Sequence, residues 1–406
     1  MSARFDSVVM LTWSDWRTEP RSNRYHYATR FARHVPVFFV QPDAQQPLVE
    51  ATEVHGISLV HVSADYGAVQ LAGVARLLAE RGLKRPLLWA YNPFYVDVER
   101  HFPGALRVFH ATEDYFTGFK FHSETTPAAR RAQRIASIGL QRRMIRTVRD
   151  SDLVVCVSPG VAEGVARHCG YRGPIRVLEN GCDFAFWSAY RREGRASRGD
   201  RVAIYQGGIN DRLDAALLVQ TMRRLPDWEF RFCGTVSGLR EGWRAMQAEA
   251  NFRYLGMLKA EEVREALYQA DVGLMPYRQI EGLGDRLLPL KAFEYAACGL
   301  PVVSTPIDSI AHLPDVFRFA RSTDEFVAAI REEAATLDDP ARRAKRLAAA
   351  RAQDYDRRFA ELQQHLDALV PARCSPSVAV ASRLLTLSVA ESWNRTVHRI
   401  ASKAQS

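Results

Sequence analysis

The sequence lacks several features, and each absence narrows what the chain can be. No apolar run approaches the ~18 residues that a membrane-crossing helix needs. No Cys-x-x-Cys pair occurs: the six cysteines stand apart at 156, 169, 182, 233, 298 and 374, with no histidine cluster beside them. That spacing argues against a zinc ribbon or a redox motif and leaves buried thiols. Nothing repeats at a solenoid or propeller period. No low-complexity tract interrupts a composition of 47% hydrophobic and 25% charged residues, so a globular protein is expected. The N-terminus, "MSARFDSVVMLTW", enters an apolar strand after six residues, with neither a signal-peptide core nor a small-residue cleavage site. The expected location is the cytoplasm.

What is present is length and positive charge. A chain of 406 residues is too long for one ordinary core and predicts two domains. The net charge of +9 predicts an anionic partner: nucleic acid, an anionic membrane or a diphosphate-bearing substrate. The charge is concentrated. From Lys120 to Arg149 one lysine and seven arginines face a single acid, Glu124.

Short Val/Ile/Leu-rich runs alternate with helical periods along the first half: "DSVVMLTW", "VPVFFVQP", "ISLVHVS", "PLLWAYN", "ALRVFHATEDY", "DLVVCVS" and "PIRVLENG". Near-continuous apolar strands separated by helices predict a parallel sheet covered on both faces. The polar, basic stretch "WSAYRREGRASRGDR" reads as a linker. The pattern then restarts with "VAIYQGG", "WEFRFCG", "FRYLG", "DVGLMPY" and "PVVST", again separated by helices. The predicted organisation is a first doubly wound domain over 1–186, a linker over 187–200 and a second doubly wound domain over 201–350. Helices over 351–406 are expected to pack back on the first domain. A cleft between two such domains, at the strands' carboxyl ends, is where a ligand is expected.

The stretch "DRLLPLKAFEYAACGLPVVSTPI", residues 285–307, carries the most chemistry. Pro289 suits a helix's first turn, Gly299 its end, and Pro301 blocks continuation before a strand. The helix N-terminus then favours phosphate, and Lys291 in the first turn adds a point charge. Glu294, one turn further, can accept hydrogen bonds from both hydroxyls of a ribose. A solvated Lys–Glu pair is the plainer reading. Against it, Glu294 is enclosed by Ala292, Phe293, Tyr295, Ala296 and Ala297.

This segment resembles the nucleotide-sugar segment of GT-B-fold glycosyltransferases, especially family 4. "VSPGVAEGVARHCGYRGPIRVLENGCD", "YQGGINDRLDAALLVQTMRRLPDWEFRFCG" and "YLGMLKAEEVREALYQADVGLMPY" resemble neighbouring segments of that family in the same order. The resemblance, running from about 150 to 310, implies two Rossmann-like domains of GT-B architecture. It implies that Glu294 binds the ribose and that Gly207 and Gly208 form the loop approaching the donor phosphates, where Arg212 can also reach. The family's Glu-x7-Glu pair is incomplete, because Arg286 stands eight residues before Glu294. The "PLKAFEY" form instead resembles teichuronic-acid-type and xanthan-type glucuronosyltransferases. In those the helix lysine meets the diphosphate, so Asp285, Arg286 and Lys291 are expected to line the donor.

An inverting transfer needs a base for the acceptor hydroxyl's proton. "VFHATEDYF" ends a strand with Glu113 and Asp114, and resembles the Ser-Asp-Asp segment of inverting relatives. Asp114 is the expected base and Glu113 the second choice, with a loop acid bonded to backbone as the plainer reading. A retaining enzyme would need no such base. His110 in the same strand reads as a satisfied core histidine. Asp15, Arg17 and Arg24, in or beside the loop "WSDWRTEPRSNRYHY", are candidate donor or acceptor contacts. Trp13 or Trp16 can stack on a sugar, with core packing the better reading for at least one of them. The basic amphipathic segment 120–149 can lie on an anionic leaflet or pack in the core with a solvated basic face. No recognition motif for nucleic acid accompanies it.

The sequence therefore predicts a metal-independent glycosyltransferase. It would move a sugar from a nucleoside-diphosphate donor, with uridine favoured by the resemblance, to a lipid-linked cell-surface glycan precursor. No cofactor beyond that co-substrate is expected, and no Asp-x-Asp metal pair stands at a predicted strand end. A GT-B-fold epimerase and a noncatalytic glycan-binding or scaffold protein remain the alternatives.

Overall fold

The computed structural model describes residues 4–18, 21–42, 48–65, 68–96, 98–113, 116, 127–189, 201–279 and 288–369, and the side chains of helix residues from 138 onward in the basic segment. These residues divide into two compact units. One comprises Arg24–Leu178 with segments 4–18 and 361–369; the other comprises Glu179–Ala360 with segment 21–23.

The first unit begins with β1 (Ser7–Leu11), α1 (Asn23–Ala32), β2 (Val37–Gln41), β3 (Leu48–Ala51) and β4 (Ile57–His61). A short β5 (Ala64–Asp65) and β6 (Ala68–Gln70) precede α2 (Ala72–Glu80), β7 (Pro86–Ala90), β8 (Tyr95–Val96) and α3 (Val98–His101). Then follow β9 (Leu106–Ala111), α4 (Pro127–Arg149), β10 (Leu153–Cys156), α5 (Pro159–Cys169) and β11 (Ile175–Val177). Eight strands form one sheet in the order β11-β10-β9-β7-β1-β2-β4-β3. All pair in parallel except β3, which runs antiparallel to β4 at the edge. The runs SVVML and VFFVQ of β1 and β2 are buried at every residue, as a sheet covered on both faces requires. Chain order reverses between β1 and β7, and this switch point leaves a crevice at the carboxyl ends. The segments following β9, β7 and β1 therefore lie side by side.

The second unit contains α6 (Phe184–Ser188), β12 (Arg201–Gln206), α7 (Ala215–Arg224), β13 (Trp228–Cys233), α8 (Arg240–Gln247), β14 (Phe252–Tyr254) and α9 (Ala260–Tyr268). It continues with β15 (Val272–Met275), α10 (Leu290–Ala297), β16 (Val302–Ser304), β17 (Phe317–Phe319), α11 (Thr323–Ala334), α12 (Pro340–Ala352) and the start of α13 (Tyr355–Asp367), whose residues from Glu361 onward belong to the first unit. Six parallel strands are ordered β14-β13-β12-β15-β16-β17, with the switch point between β12 and β15. Trp187, at the start of the stretch read as a linker, is buried, and its carbonyl accepts from the Tyr268 hydroxyl (2.8 Å). Residues 190–200, the rest of that stretch, lie outside the described residues, as do 370–406.

The α/β architecture with two parallel sheets is the one predicted. Sequence periodicity did not reveal the edge strand β3, the small β5-β6-β8 sheet, β17 or α11. The strands among these are two to four residues long, too short to show a period. The five described cysteines are buried. Among the described residues no helix is long and apolar enough to cross a membrane.

Candidate functional site

The second unit's site is assembled around the end of β12. Gly207 follows Gln206 with φ +111°, a conformation open to glycine. A Cβ there would lie 2.8 Å from the Lys291 ammonium, the movable end of a long side chain, so it is the backbone conformation that requires glycine. Gly234, one strand over with φ +127°, is equally constrained: its Cβ would meet the Gly207 carbonyl at 2.2 Å. Gly208 accepts a hydrogen bond from the Tyr205 hydroxyl (2.8 Å).

Helix α10 presents the charged pair to this loop. Pro289 caps the helix from just outside rather than occupying its first turn, and Lys291 is the second helical residue. Gly299, with φ +70°, ends the helix as predicted. Every residue from Lys291 to Ala297 is buried. A solvated Lys–Glu pair is thereby excluded, since Lys291 and Glu294 are only 8% and 6% exposed.

The environment of each charge is distinct. The Lys291 ammonium lies 3.8 Å from the Tyr205 ring centroid and 5.6 Å from that of Tyr277. Such cation–π contact compensates part of the lost hydration. Among the described residues it has no hydrogen-bond or ion-pair partner. Burial pulls its pKa from 10.5 down to about 7, against the attraction of Glu294. Burial likewise pushes Glu294 up to about 7, opposed by a hydrogen bond from Gln206 and by Lys291. The Gln206 amide donates to Glu294 Oε2, and the Gln206 backbone N–H donates to the Tyr295 hydroxyl (2.9 Å). Titratable pairs perturbed in this way at a switch point mark a candidate ligand site.

The structure thus brings together Gly207, Gly208, Lys291 and Glu294. Arg212, half-buried on the same loop, acts electrostatically on Tyr277. Asp285 and Arg286 lie outside the described residues. Sequence reasoning missed Tyr205, Gln206, Tyr277 and Tyr295, whose roles depend on β12, β15 and α10 meeting. It also missed Tyr254 and Met257, which are exposed beside Gly234; the Tyr254 hydroxyl donates to the Gly234 carbonyl (2.8 Å).

In the first unit, Glu113 is exposed just beyond β9, and Asp114 lies outside the described residues. Asp15 is exposed and accepts from the Arg17 backbone N–H (2.9 Å). The exposed Arg17 guanidinium pairs with Glu50 on β3 at 2.7 Å. Arg24 lies 5.8 Å over the Tyr91 ring. Trp13 and Trp16 have opposite fates. Trp16 is buried and donates to Glu53 (3.1 Å), whereas Trp13 is 46% exposed.

His110 corrects one expectation. It is fully buried, but among the described residues neither ring nitrogen has a hydrogen-bond partner, and the rings of Tyr27, Trp89 and Tyr91 enclose it at 5.1–5.6 Å. Burial, with the nearby charge of Arg24, pulls its pKa to about 3, so it is neutral near pH 7. In α4, Met144, Ile145 and Val148 pack into the core while Arg146 is exposed. The apolar face at this end serves the core, leaving the basic face for any contact with a leaflet.

With this geometry in place, comparison with known proteins is informative. Residues 212–364 match the family model described as glycosyl transferase-like. The chain is 25% identical over 231 residues to a Bacillus subtilis protein named for teichuronic acid biosynthesis, the glycosyltransferase TuaH. That match covers 54% of this chain and 58% of the relative, so it spans less than two thirds of the relative's length. Among solved structures, sucrose-phosphate synthase from Thermosynechococcus elongatus superposes with a TM-score of 0.62 at 14% identity, covering 89% of this chain and 98% of that one. A structure described as trehalose-6-phosphate from E. coli bound with UDP-2-fluoro glucose gives 0.61 at 13% identity, covering 90% and 100%. The fold is the GT-B fold of glycosyltransferases.

Proposed function

We propose that the protein is a glycosyltransferase that transfers a sugar from a nucleoside-diphosphate donor, UDP-linked, to a cell-envelope glycan precursor carried on a lipid. The observation that carries the reading is the buried Lys291 ammonium. Among the described residues no carboxylate forms an ion pair with it; it abuts a glycine loop and lies one turn from the buried Glu294, whose charge favours it. Retaining such a charge costs stability, which a bound diphosphate would offset. A noncatalytic scaffold would have no use for it.

In this reading the donor's diphosphate meets Lys291, Gly207, Gly208 and Arg212, while Glu294, oriented by Gln206, accepts from the ribose hydroxyls. Asp114, or Glu113 in its place, takes the acceptor hydroxyl's proton. The acceptor oxygen attacks the anomeric carbon, the bond from that carbon to the diphosphate breaks, and the nucleoside diphosphate leaves. Lys291, Arg212 and Arg286 stabilise the departing negative charge, so no metal is required. Uridine is supported by the UDP sugar in the E. coli structure. The seven arginines within 120–149 would suit the anionic inner leaflet, where a lipid-linked acceptor would reside.

The test is a thermal-shift screen with UDP, GDP, ADP and TDP, repeated on Glu294→Ala. A shift with UDP that vanishes in the variant is expected; no shift with any nucleotide would sink the reading. Acceptor-dependent release of UDP then separates transfer from epimerisation. Asp114→Asn should keep UDP affinity and lose turnover by roughly 100-fold or more, in the range that general-base catalysis supplies.

A further inference from the structure

Tyr205 is the penultimate residue of β12 and is only 1% exposed, which alone reads as core packing. Both ends of its side chain nevertheless serve the donor site. The Lys291 ammonium rests 3.8 Å from the centre of its ring. Its hydroxyl donates to the Gly208 carbonyl (2.8 Å) and is also hydrogen-bonded to that of Tyr277. The peptide after Gly208 is held from its other side, where the Ile209 N–H donates to the Thr235 carbonyl (2.9 Å). The Gly207 N–H is likewise engaged, with the Cys233 carbonyl (2.9 Å). Between them the Gly208 N–H has no acceptor among the described residues, and Gly208 is exposed.

A diphosphate is held best by a charge and by N–H donors kept in fixed relation to each other. A lysine stem is flexible and a Gly-Gly loop has the freest of backbones, so neither is preorganised by itself. One tyrosine removes both freedoms. Its face attracts the ammonium, and its hydroxyl pins the peptide next to the free N–H. A phenylalanine would fill the same space and hold the cation, but it could not tie the loop. The titratable groups facing the ammonium are Glu294 on its own helix, Cys233 on β13, Tyr205 on β12 and Tyr277 beyond β15. Burial pushes the thiol and both phenols up, so near pH 7 only Glu294 among them carries negative charge.

We propose that Tyr205 is a positioning residue for donor binding: its ring seats Lys291 and its hydroxyl fixes the Gly208 loop, so that ammonium and free N–H meet one diphosphate. The inference rests on the nucleoside-diphosphate reading of this site, but its test does not need turnover. UDP affinity of the full chain is measured by isothermal titration, and uridine binding by saturation-transfer NMR. Tyr205→Phe removes only the hydroxyl. Pentafluorophenylalanine at position 205 keeps the ring's shape and reverses the charge of its face.

Tyr205→Phe should weaken UDP about fivefold, the contribution of one neutral hydrogen bond, and leave uridine unchanged. The fluorinated ring should weaken UDP by about a further tenfold or more, again sparing uridine. The pH profile divides the two roles. UDP binds the charged ammonium, so affinity should fall as pH rises through about 7, where Lys291 loses its proton. That limb should stay in place in Tyr205→Phe and move to lower pH with the fluorinated ring. UDP affinity within about twofold of wild type in both variants overturns the assignment. Equal loss of UDP and uridine overturns it too, because packing alone would then explain the tyrosine. Absence of UDP binding by the wild-type protein would instead overturn the donor reading, and any role for Tyr205 in it.

Discussion

The carboxyl edges of the two sheets are built to different rules. In the second unit, Lys291 and Glu294 are buried on a helix, with Gln206 holding the carboxylate and Tyr205 facing the ammonium. In the first unit, Glu113, Asp15 and Trp13 stand exposed on segments that leave the strands. A site that recognises one invariant group, such as a diphosphate and its ribose, can be preformed and dry, where electrostatic contacts are strongest. A site for an extended glycan can remain open and rely on stacking and surface charge. The contrast teaches where binding energy would be stored: in buried charge at one edge, in exposed side chains at the other.

The sharpest way to break this contrast is Glu294→Ala. Removing a buried acceptor leaves the Gln206 donor unpaired and the ribose hydroxyls unmet, so nucleotide affinity should fall by about 100-fold or more. Isothermal titration with UDP measures it. A loss below about threefold would place the nucleotide elsewhere.

Lys291→Met should separate stability from binding. Replacing a buried ammonium with an apolar side chain of similar length should stabilise the ligand-free protein by about 1–3 kcal/mol. The same change should reduce UDP affinity at least tenfold. Thermal melts with and without UDP read both effects. A destabilised variant would mean that the ammonium is structurally paired and not held for a ligand.

How far the site could be read in advance follows the same divide. Glu294 was legible because a charge flanked by five apolar or aromatic neighbours is anomalous within a helix. Gly207 and Lys291 were legible from spacing and family resemblance. Gln206 was not: a polar residue at a strand's end looks like any other until α10 is packed across from it. His110 was half legible. Its burial followed from the strand pattern, but its missing hydrogen bonds depend on three aromatic rings arriving from α1, from β7 and from the residue just after β7. The basic segment was ambiguous for a related reason, since an amphipathic period marks a face without saying what covers it.

The pH dependence of stability tests whether the buried pair ionises as described. Glu294 binds its proton more tightly in the folded protein, with a pKa near 7 against 4.5. Its contribution is therefore full below about 4.5 and lost as pH rises through 7. Lys291 has the opposite sign for folding. Its folded pKa, near 7, is below 10.5, so its contribution is full above about 10.5 and lost as pH falls through 7. The two windows meet at neutrality. The gap in melting temperature between wild type and a Lys291→Met/Glu294→Gln double variant should be widest near pH 7 and narrow towards pH 5 and pH 9. A constant gap would show that neither group changes charge across this range.

The smallest expected effect lies on the exposed edge. Arg17, a candidate for substrate contact, already pairs with Glu50 at the β3 edge, and its side chain is 69% exposed. An exposed pair contributes little, so Arg17→Ala should change stability by less than about 1 kcal/mol. If the arginine serves only that pair, acceptor KM should stay within about twofold of wild type. A tenfold rise in KM with unchanged kcat and unchanged UDP affinity would show that Arg17 leaves Glu50 for the glycan. The acceptor site would then extend along the first sheet's edge to β3, and recognition there would depend on charge that is exchanged rather than held in place.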